Sequence, residues 1–139
     1  MRPHLTTKYV VHRLSPGETS LIKVKASNIY STDQLEVVEG EVYKIWCNKG
    51  QWWVDLFIPT TPDGYLNPIA NMFGQRIKGV KCMCLCGTYN NDDTDGFAIG
   101  NKLEFKIIKT ALLSLFANDV PGYEWNNLGS IEVNIERIC

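Results

Sequence analysis

Short apolar runs separated by turn-forming residues constrain this chain more than any other feature of its sequence. The runs are rich in β-branched and aromatic residues, as in residues 42–47, and Gly, Pro, Asn or Asp interrupt them about every 8–12 residues. In residues 131–138 apolar and polar side chains alternate, so one face of that segment is buried and the other is wet. The pattern predicts an all-β protein with roughly eight or nine short strands in one β-sandwich or jelly roll.

The individual segments carry more detailed predictions. Strands are predicted at residues 21–26, 35–38, 42–47, 52–58, 77–86, 97–100, 103–108, 111–116 and 131–138. Turns or loops are predicted at residues 39–41 (a hairpin), 48–50, 59–64 and 88–96. The continuous apolar run at 111–116 favours a central strand, with a helix as the alternative because Ala and Leu favour helices. Residues 67–73 predict one or two helical turns, with Asn67 as N-cap and Pro68 at the first position.

Length and charge limit the classes of protein and partner. A chain of 139 residues fits one domain with a sizeable core. Its net charge of −1 provides no basic surface for nucleic acid or for an anionic membrane. No apolar run is long enough for membrane insertion, and residues 1–19 lack the apolar segment of a secretory signal. We expect an N-terminal extension at 1–19, one domain at 20–139, and a protein that is cytoplasmic or released without a classical signal.

The cysteines are odd in number, so a closed disulfide framework cannot use all five. Cys82, Cys84 and Cys86 alternate along a predicted strand, which places all three on one face. Buried free thiols are the favoured interpretation, because free cysteine is among the most buried residue types. A disulfide, or a zinc site completed by Cys47 or Cys139, remains as an alternative.

The sequence contains little that suggests catalysis. The two histidines, His4 and His12, both lie in the predicted N-terminal extension, and no glycine-rich phosphate loop is present. Residues 91–96 resemble the start of an EF-hand loop, but Lys102 stands where the bidentate acid is required. We therefore expect a binding protein and not an enzyme.

The connection at residues 118–129, between two apolar runs, concentrates short oxygen-bearing side chains. Pro121-Gly122 forces a turn, and the loop gathers Asp119, Asn126 and Asn127. One carboxylate, side-chain amides and backbone carbonyls are the ligands that calcium prefers. With a single carboxylate, such an ion is left short of oxygens and can accept sugar hydroxyls. The alternative is a plain turn whose side chains cap their own backbone.

This segment resembles the C-terminal part of the PA-I galactophilic lectin (PA-IL) family. The matching residues are Asn118-Asp119-Val120-Pro121-Gly122, Tyr123, Asn126-Asn127, Gly129-Ser130 and Val133-Asn134-Ile135. A weaker likeness extends upstream through Glu39-Gly40-Glu41, Gly50, Trp52-Trp53, Pro62-Asp63-Gly64 and Ile99-Gly100. Members of the family are bacterial, calcium-dependent, galactose-binding β-sandwich proteins. The resemblance implies a galactose-binding-domain-like fold, calcium as the ligand-binding metal, and galactose-type glycans as partners.

The resemblance also implies roles for individual residues. The metal ligands it implies are Asp119, Asn126, Asn127, the carbonyl of Tyr123, where the family has threonine, and a carbonyl near Asp55. If the Asp55 carboxylate also reached the ion, the site would bind calcium more tightly.

The predicted sugar contacts are Asp119, Val120, Tyr123, Asn126, Thr61 and Trp125. Trp125 is included not from the resemblance but because it lies inside the loop, where an aromatic face can stack on a sugar ring; the alternative is a tryptophan of the core. The family's histidine and glutamine near the Pro-Asp segment are missing, since Thr61 precedes it here and Gly64 follows it. A structural or protein-interaction jelly roll that has lost sugar binding is therefore the alternative function. By analogy with lectins that present several sites at once, a homo-oligomer is expected.

Overall fold

The strands form two large sheets and one small sheet in the computed structural model, which describes residues 9–139. The strands are β1 (Val10–His12), β2 (Thr19–Lys25), β3 (Asp33–Val37), β4 (Val42–Cys47), β5 (Trp53–Asp55), β6 (Ile58–Thr60), β7 (Leu85–Tyr89), β8 (Asp92–Ala98), β9 (Lys102–Lys106), β10 (Ala111–Ala117), β11 (Asn127–Leu128) and β12 (Ser130–Arg137). Helix α1 spans Pro68–Phe73, and a short 3-10 helix spans Glu124–Asn126. Among the described residues, no helix is long and apolar enough to cross a membrane.

The two large sheets pack face to face. One has the order β1-β3-β10-β7-β8 and the other β2-β12-β4-β9, while β11-β5-β6 forms the small third sheet. Leu35 and Leu113 of the first sheet share one buried cluster with Ile45 and Val133 of the second. Burying apolar side chains from both inner faces stabilises the pair of sheets. The predicted all-β sandwich is confirmed.

The predictions for β10, β12 and the start of α1 are confirmed. Strand β10 lies in the middle of its sheet, as its continuous apolar run indicated. Strand β12 alternates buried and more exposed residues along most of its length. The side chain of Asn67 caps α1 by accepting hydrogen bonds from the backbone N–H groups of Ile69 and Ala70, both at 3.1 Å.

Two predictions about the first half of the chain are wrong. Residues 52–58 do not form one strand, because Leu56 adopts a positive φ of 56° and turns β5 back onto β6. The turn at 39–41 does not close a hairpin, because β3 and β4 belong to opposite sheets. Apolar content alone does not reveal where a strand bends or which sheet it joins.

The predictions for residues 77–96 are also wrong. The long strand at 77–86 is reduced to β7, and the residues before Leu85 are largely irregular. The acidic stretch 88–96 is not a surface loop. It forms most of a hairpin of β7 and β8, whose turn residues Asn90 and Asn91 have φ values of 55° and 51°. Asparagine tolerates this left-handed conformation, which suits a tight hairpin turn.

The cysteines of this region are free thiols, and Cys82, Cys84 and Cys86 are buried, as the favoured interpretation predicted. They do not share one face. Met83, with φ of 63°, breaks the alternation, so that Cys82 joins the main core while Cys84 and Cys86 pack with Phe116.

Part of the predicted N-terminal extension belongs to the sandwich. Strand β1 pairs in parallel with β3, and His12 Nε2 lies 3.0 Å from Asp33 Oδ1. Arg13 reaches across to Glu41 with two hydrogen bonds of 2.8 and 2.6 Å. Residues 1–8, including His4, lie outside the described part of the chain.

Candidate metal and ligand site

The small third sheet brings the loop at 118–129 against β5. Strand β11 ends the loop and pairs with β5, so that Asn127 stands opposite Asp55. The backbone N–H of Leu56 donates to the carbonyl of Asn126 at 3.3 Å. Two segments separated by about half of the chain therefore meet at one place, and the sequence-predicted metal residues come together there.

Three buried oxygens in this loop have no hydrogen-bond partner within residues 9–139. They are Asp119 Oδ2, Asn126 Oδ1 and Asn127 Oδ1. The side chain of Asn127 is nonetheless held, because its Nδ2 donates to the carbonyl of Ala26 at 3.1 Å. The other oxygen of Asp119 accepts from the backbone N–H of Val120 at 2.7 Å.

Such orphaned oxygens are unusual in a folded protein. Each costs on the order of 1–3 kcal/mol when it is buried without a partner. A cation coordinated by all three would satisfy them together, and a carboxylate with two amide oxygens matches the donors that calcium takes. The residues present therefore fit a hard divalent cation.

A second set of ligand atoms adjoins the first. Oxygens of Asp55 and Asp119 and the Sγ of Cys82 all lie within 4.8 Å of one another. Asp55 Oδ2 accepts a 2.5 Å hydrogen bond from the hydroxyl of Tyr65, and Cys82 Sγ lies 3.7 Å from the same oxygen. Asn67 Nδ2 donates to the Tyr65 hydroxyl at 3.0 Å, so the capping residue of α1 also supports the site.

The pKa values of two acidic groups in the cluster are raised, which means that their charged forms are disfavoured without a cation. Burial raises the pKa of Asp119, and the nearby carboxylates of Asp55 and Glu124 raise it further. Burial, together with the charges of Asp119 and Asp55, raises the pKa of the Cys82 thiol to about 12. A bound cation would reverse both effects by favouring the charged forms.

A cavity of about 320 Å³ opens beside these residues. Its polar side includes Asp55, Asp119 and Asn126, and its apolar side includes Ile69 and Phe73 of α1. A volume of this size is sufficient for a small ligand that presents polar groups to one wall and apolar groups to the other.

The structure places the sequence-predicted site residues in three groups. Five of them line the 320 Å³ cavity: Asp55, Asp119, Val120, Tyr123 and Asn126. Asn127, from the same loop as Asp119, is buried and does not line this cavity. Thr61 lines a different cavity, which it shares with Cys47 and Trp52. Trp125 is 75% exposed on the 3-10 helix and does not line the 320 Å³ cavity.

Sequence reasoning missed three residues of the site, namely Tyr65, Cys82 and Glu124. Glu124 is buried, and its Oε2 accepts from the backbone N–H of Gly122 at 3.0 Å. Tyr65 and Cys82 are joined by an isolated backbone bridge, and both side chains reach Asp55 Oδ2 from it. No local sequence pattern predicts such a bridge. Glu124 lies within the loop at 118–129, so its position could have been considered from the sequence.

Gly64 occupies a position where a side chain cannot be accommodated. It has φ of 76°, and a Cβ there would lie 2.5 Å from the carbonyl oxygen of Cys82 and 2.6 Å from the N of Cys84. Any side chain would collide with this backbone, so position 64 supplies no side-chain contact to a ligand.

Comparison with known proteins gives one informative result. The sequence matches no protein-family model and no curated protein. Among solved structures, a domain described as "EclA N-terminal domain; PllA-like lectin" matches with a TM-score of 0.61, over 86% of this chain and 94% of that one. The chain has a lectin-like fold. The two sequences are 18% identical, so the likeness concerns the arrangement of the strands.

Within this lectin-like fold, the site described above is built from the chain's own residues. The loop after β10 supplies the unpartnered oxygens, and the small sheet brings Asp55 beside them. Helix α1 supplies the apolar wall. These features depend on contacts within this chain and not on the likeness.

Proposed function

We propose that the protein is a calcium-dependent lectin of the PA-IL type, which binds galactose or a related monosaccharide. The observation that supports this most is the set of three unpartnered buried oxygens of Asp119, Asn126 and Asn127 beside an open cavity. The lectin-like fold supports it independently.

The chain's own residues would hold the ion in the following way. Side-chain oxygens of Asp119, Asn126 and Asn127 serve as ligands, and backbone carbonyls of Tyr123 and Asp55 add to them. The Tyr123 carbonyl accepts only a long 3.4 Å hydrogen bond from the N–H of Asn126, so it retains a free lone pair. Calcium takes 6–8 oxygens, which leaves positions for two neighbouring sugar hydroxyls.

The remaining contacts would orient the sugar. Asp119 and Asn126 line the cavity and exchange hydrogen bonds with the same hydroxyls, while Val120 and Tyr123 contact the ring from the loop side. The ring of Tyr123 is half-exposed and lines the cavity, where the lectin family has a smaller threonine. Binding of this kind needs no covalent chemistry, so we propose a binding protein without enzymatic activity.

Calorimetric titration with methyl galactoside tests the proposal. We expect heat of binding in calcium, none after a chelator is added, and none for Asp119→Asn. The matched control is Glu104→Gln, an exposed acid on β9 far from the loop in sequence, which should bind as the wild type does. Galactoside binding that survives both the chelator and Asp119→Asn would overturn the proposal.

A protein-interaction domain without sugar binding is the second candidate, and exposed apolar residues near the cavity favour it. Phe57, Leu66, Met72 and Phe73 are 74–85% exposed. Patches of this kind often mark contact surfaces. This candidate expects no hit on a glycan array in calcium, whereas the lectin proposal expects hits that the chelator abolishes.

We also propose that the lectin presents its site on a homo-oligomer, because several weak sugar sites gain avidity when they act together. Light scattering after size-exclusion chromatography measures the mass directly. A mass equal to one 15.8 kDa chain at working concentration would contradict this part of the proposal.

A further inference from the structure

We propose that the site also binds a thiophilic divalent cation of the zinc class, through the thiolate of Cys82 and the carboxylates of Asp55 and Asp119. One ligand atom of each residue lies within 4.8 Å of the other two. The inference rests on the proposed function in placing a cation beside Asp119, but it requires no sugar. Sulfur is what separates it from the calcium proposal, because thiolate ligands select for zinc-like ions and not for calcium.

The spacing of the ligand atoms suits such an ion. With zinc–sulfur and zinc–oxygen distances of about 2.3 and 2.0 Å, a tetrahedral angle places sulfur and oxygen about 3.5 Å apart. The Sγ of Cys82 lies 3.7 Å from Asp55 Oδ2. Asp119 Oδ2, buried and without a partner among the described residues, provides the third donor. Three protein ligands and one open position are typical of accessible zinc sites.

The ligands are held in place by groups behind them. Tyr65 and Cys82 exchange two backbone hydrogen bonds of 2.9 and 3.0 Å, and the Tyr65 hydroxyl donates to Asp55. One residue thus fixes both the thiol and the carboxylate. Supporting partners of this kind orient metal ligands in established sites.

The neighbouring thiols provide an internal comparison. Cys84 is also buried, but its side chain packs with Cys86 and Phe116, and its Sγ lies 3.4 Å from the carbonyl of Leu85 with no carboxylate among these partners. Cys139 is exposed at the end of the chain. Neither belongs to a group of potential metal ligands found within the described residues, so both serve as controls for Cys82.

Zinc at this position would antagonise sugar binding. Its four-coordinate shell would leave one position after the three protein ligands, whereas calcium with 6–8 ligands has room for two hydroxyls. Because the two ions share Asp119, they would also compete. The site would then respond to the ratio of thiophilic cation to calcium.

Cobalt(II) is the spectroscopic probe for this site, because a thiolate ligand gives it a charge-transfer band in the near ultraviolet. The protein is titrated with cobalt under a thiol-free reductant. We expect one equivalent of cobalt to produce the band in the wild type, Cys84→Ser and Cys139→Ser, and to produce none in Cys82→Ser. No band in the wild type, or a full band in Cys82→Ser, would overturn the inference.

Alkylation of the wild type gives a second measurement that does not depend on a variant folding. With cadmium added under native conditions without denaturant, where buried thiols react through local openings and not through global unfolding, mass spectrometry should show that Cys82 reacts at least about tenfold more slowly, while Cys84 reacts at its cadmium-free rate. Equal protection of both thiols, or of neither, would contradict a site at Cys82.

Galactoside titration of Cys82→Ser separates this inference from the proposed function. The ratio of calcium-dependent heat with and without zinc is compared in the two proteins, and zinc should lower the heat of the wild type but not that of Cys82→Ser. Suppression by zinc that is unchanged in Cys82→Ser would contradict the inference. A wild type that shows the cobalt band but no galactoside heat would overturn the lectin proposal and leave the metal site standing.

Discussion

The side-chain amide of Asn118 pairs with both backbone groups of Ile77, 41 positions earlier in the chain. Its Oδ1 accepts from the N–H of Ile77 at 2.8 Å, and its Nδ2 donates to the carbonyl of Ile77 at 3.1 Å. The same Nδ2 also contacts the carbonyls of Val80 and Lys81. The residue before Asp119 is thereby anchored to an irregular segment, which fixes where the candidate site begins.

Replacing Asn118 by alanine should therefore be costly. The substitution strands a buried N–H and several carbonyls, and we expect the free energy of unfolding to fall by about 2–4 kcal/mol. Urea denaturation measures this loss. The control Asn48→Ala, at an exposed asparagine, should change the value by less than about 0.5 kcal/mol. Equal effects of the two substitutions would contradict the anchoring role.

Asp119→Asn should reverse its effect on stability when calcium is added. Without calcium it removes a buried charge beside Asp55, so we expect the apo variant to be at least as stable as the wild type. With calcium at about 100 times its dissociation constant, the wild type should gain about 2.7 kcal/mol and the variant nothing. The melting temperatures of the wild type and of Asp119→Asn, each measured in calcium, in magnesium and in a chelator, show whether the order of stability reverses. Equal calcium stabilisation of both proteins would exclude Asp119 as a ligand.

Glu41 should make the protein sensitive to acid. Hydrogen bonds from Arg13 are the main cause that lowers its pKa from 4.5 to about 2. A lowered folded-state pKa gives stability that is fully present above the unfolded value of 4.5 and is lost as the pH falls through about 2. We expect Glu41 to contribute about 3 kcal/mol above pH 5.

The contribution of Glu41 can be isolated with Glu41→Gln. The difference in unfolding free energy between wild type and variant should shrink steadily from pH 5 towards pH 2. A difference that is constant over this range would show that the carboxylate is not held by Arg13 and its neighbours. The raised pKa of Asp119 is expected to make the folded state more stable as the pH falls, which is opposite to the effect of Glu41. This contribution is the same in wild type and variant, so it cancels when their unfolding free energies are subtracted.

Gly64→Ala and Gly50→Ala form a matched pair. Both glycines have positive φ, at 76° and 85°, so alanine carries a similar backbone strain of about 1–2 kcal/mol at each. Only at Gly64 would the added Cβ collide with backbone, at Cys82 and Cys84. We expect Gly64→Ala to cost at least about 2 kcal/mol more than Gly50→Ala in urea denaturation. Equal costs would mean that the backbone does not approach closely there.

The sequence predicted the sandwich because strand signals are local. The alternation in β12 and the apolar run in β10 reflect which faces are buried, and each signal lies within one segment. The capping of α1 by Asn67 is local in the same sense. Such features can be recognised without knowledge of the remaining chain.

The pairing of distant segments could not be predicted in the same way. Residues 77–84 do not form the predicted strand, and the side chain of Asn118 hydrogen-bonds their backbone at Ile77, Val80 and Lys81. The positive φ of Met83 turns Cys82 away from its neighbours and towards Asp55. The sequence therefore suggested the loop with Asp119 but not the thiol beside it, since that contact depends on tertiary packing.

A crystal structure with calcium and a galactoside is the decisive measurement for the proposed set of ligands. We expect one ion within about 2.3–2.6 Å of the side-chain oxygens of Asp119, Asn126 and Asn127, with two sugar hydroxyls completing its shell. Anomalous scattering identifies the ion. Calcium bound elsewhere, or a loop whose amide oxygens point away from a common centre in excess calcium, would show that these three residues do not form a calcium site.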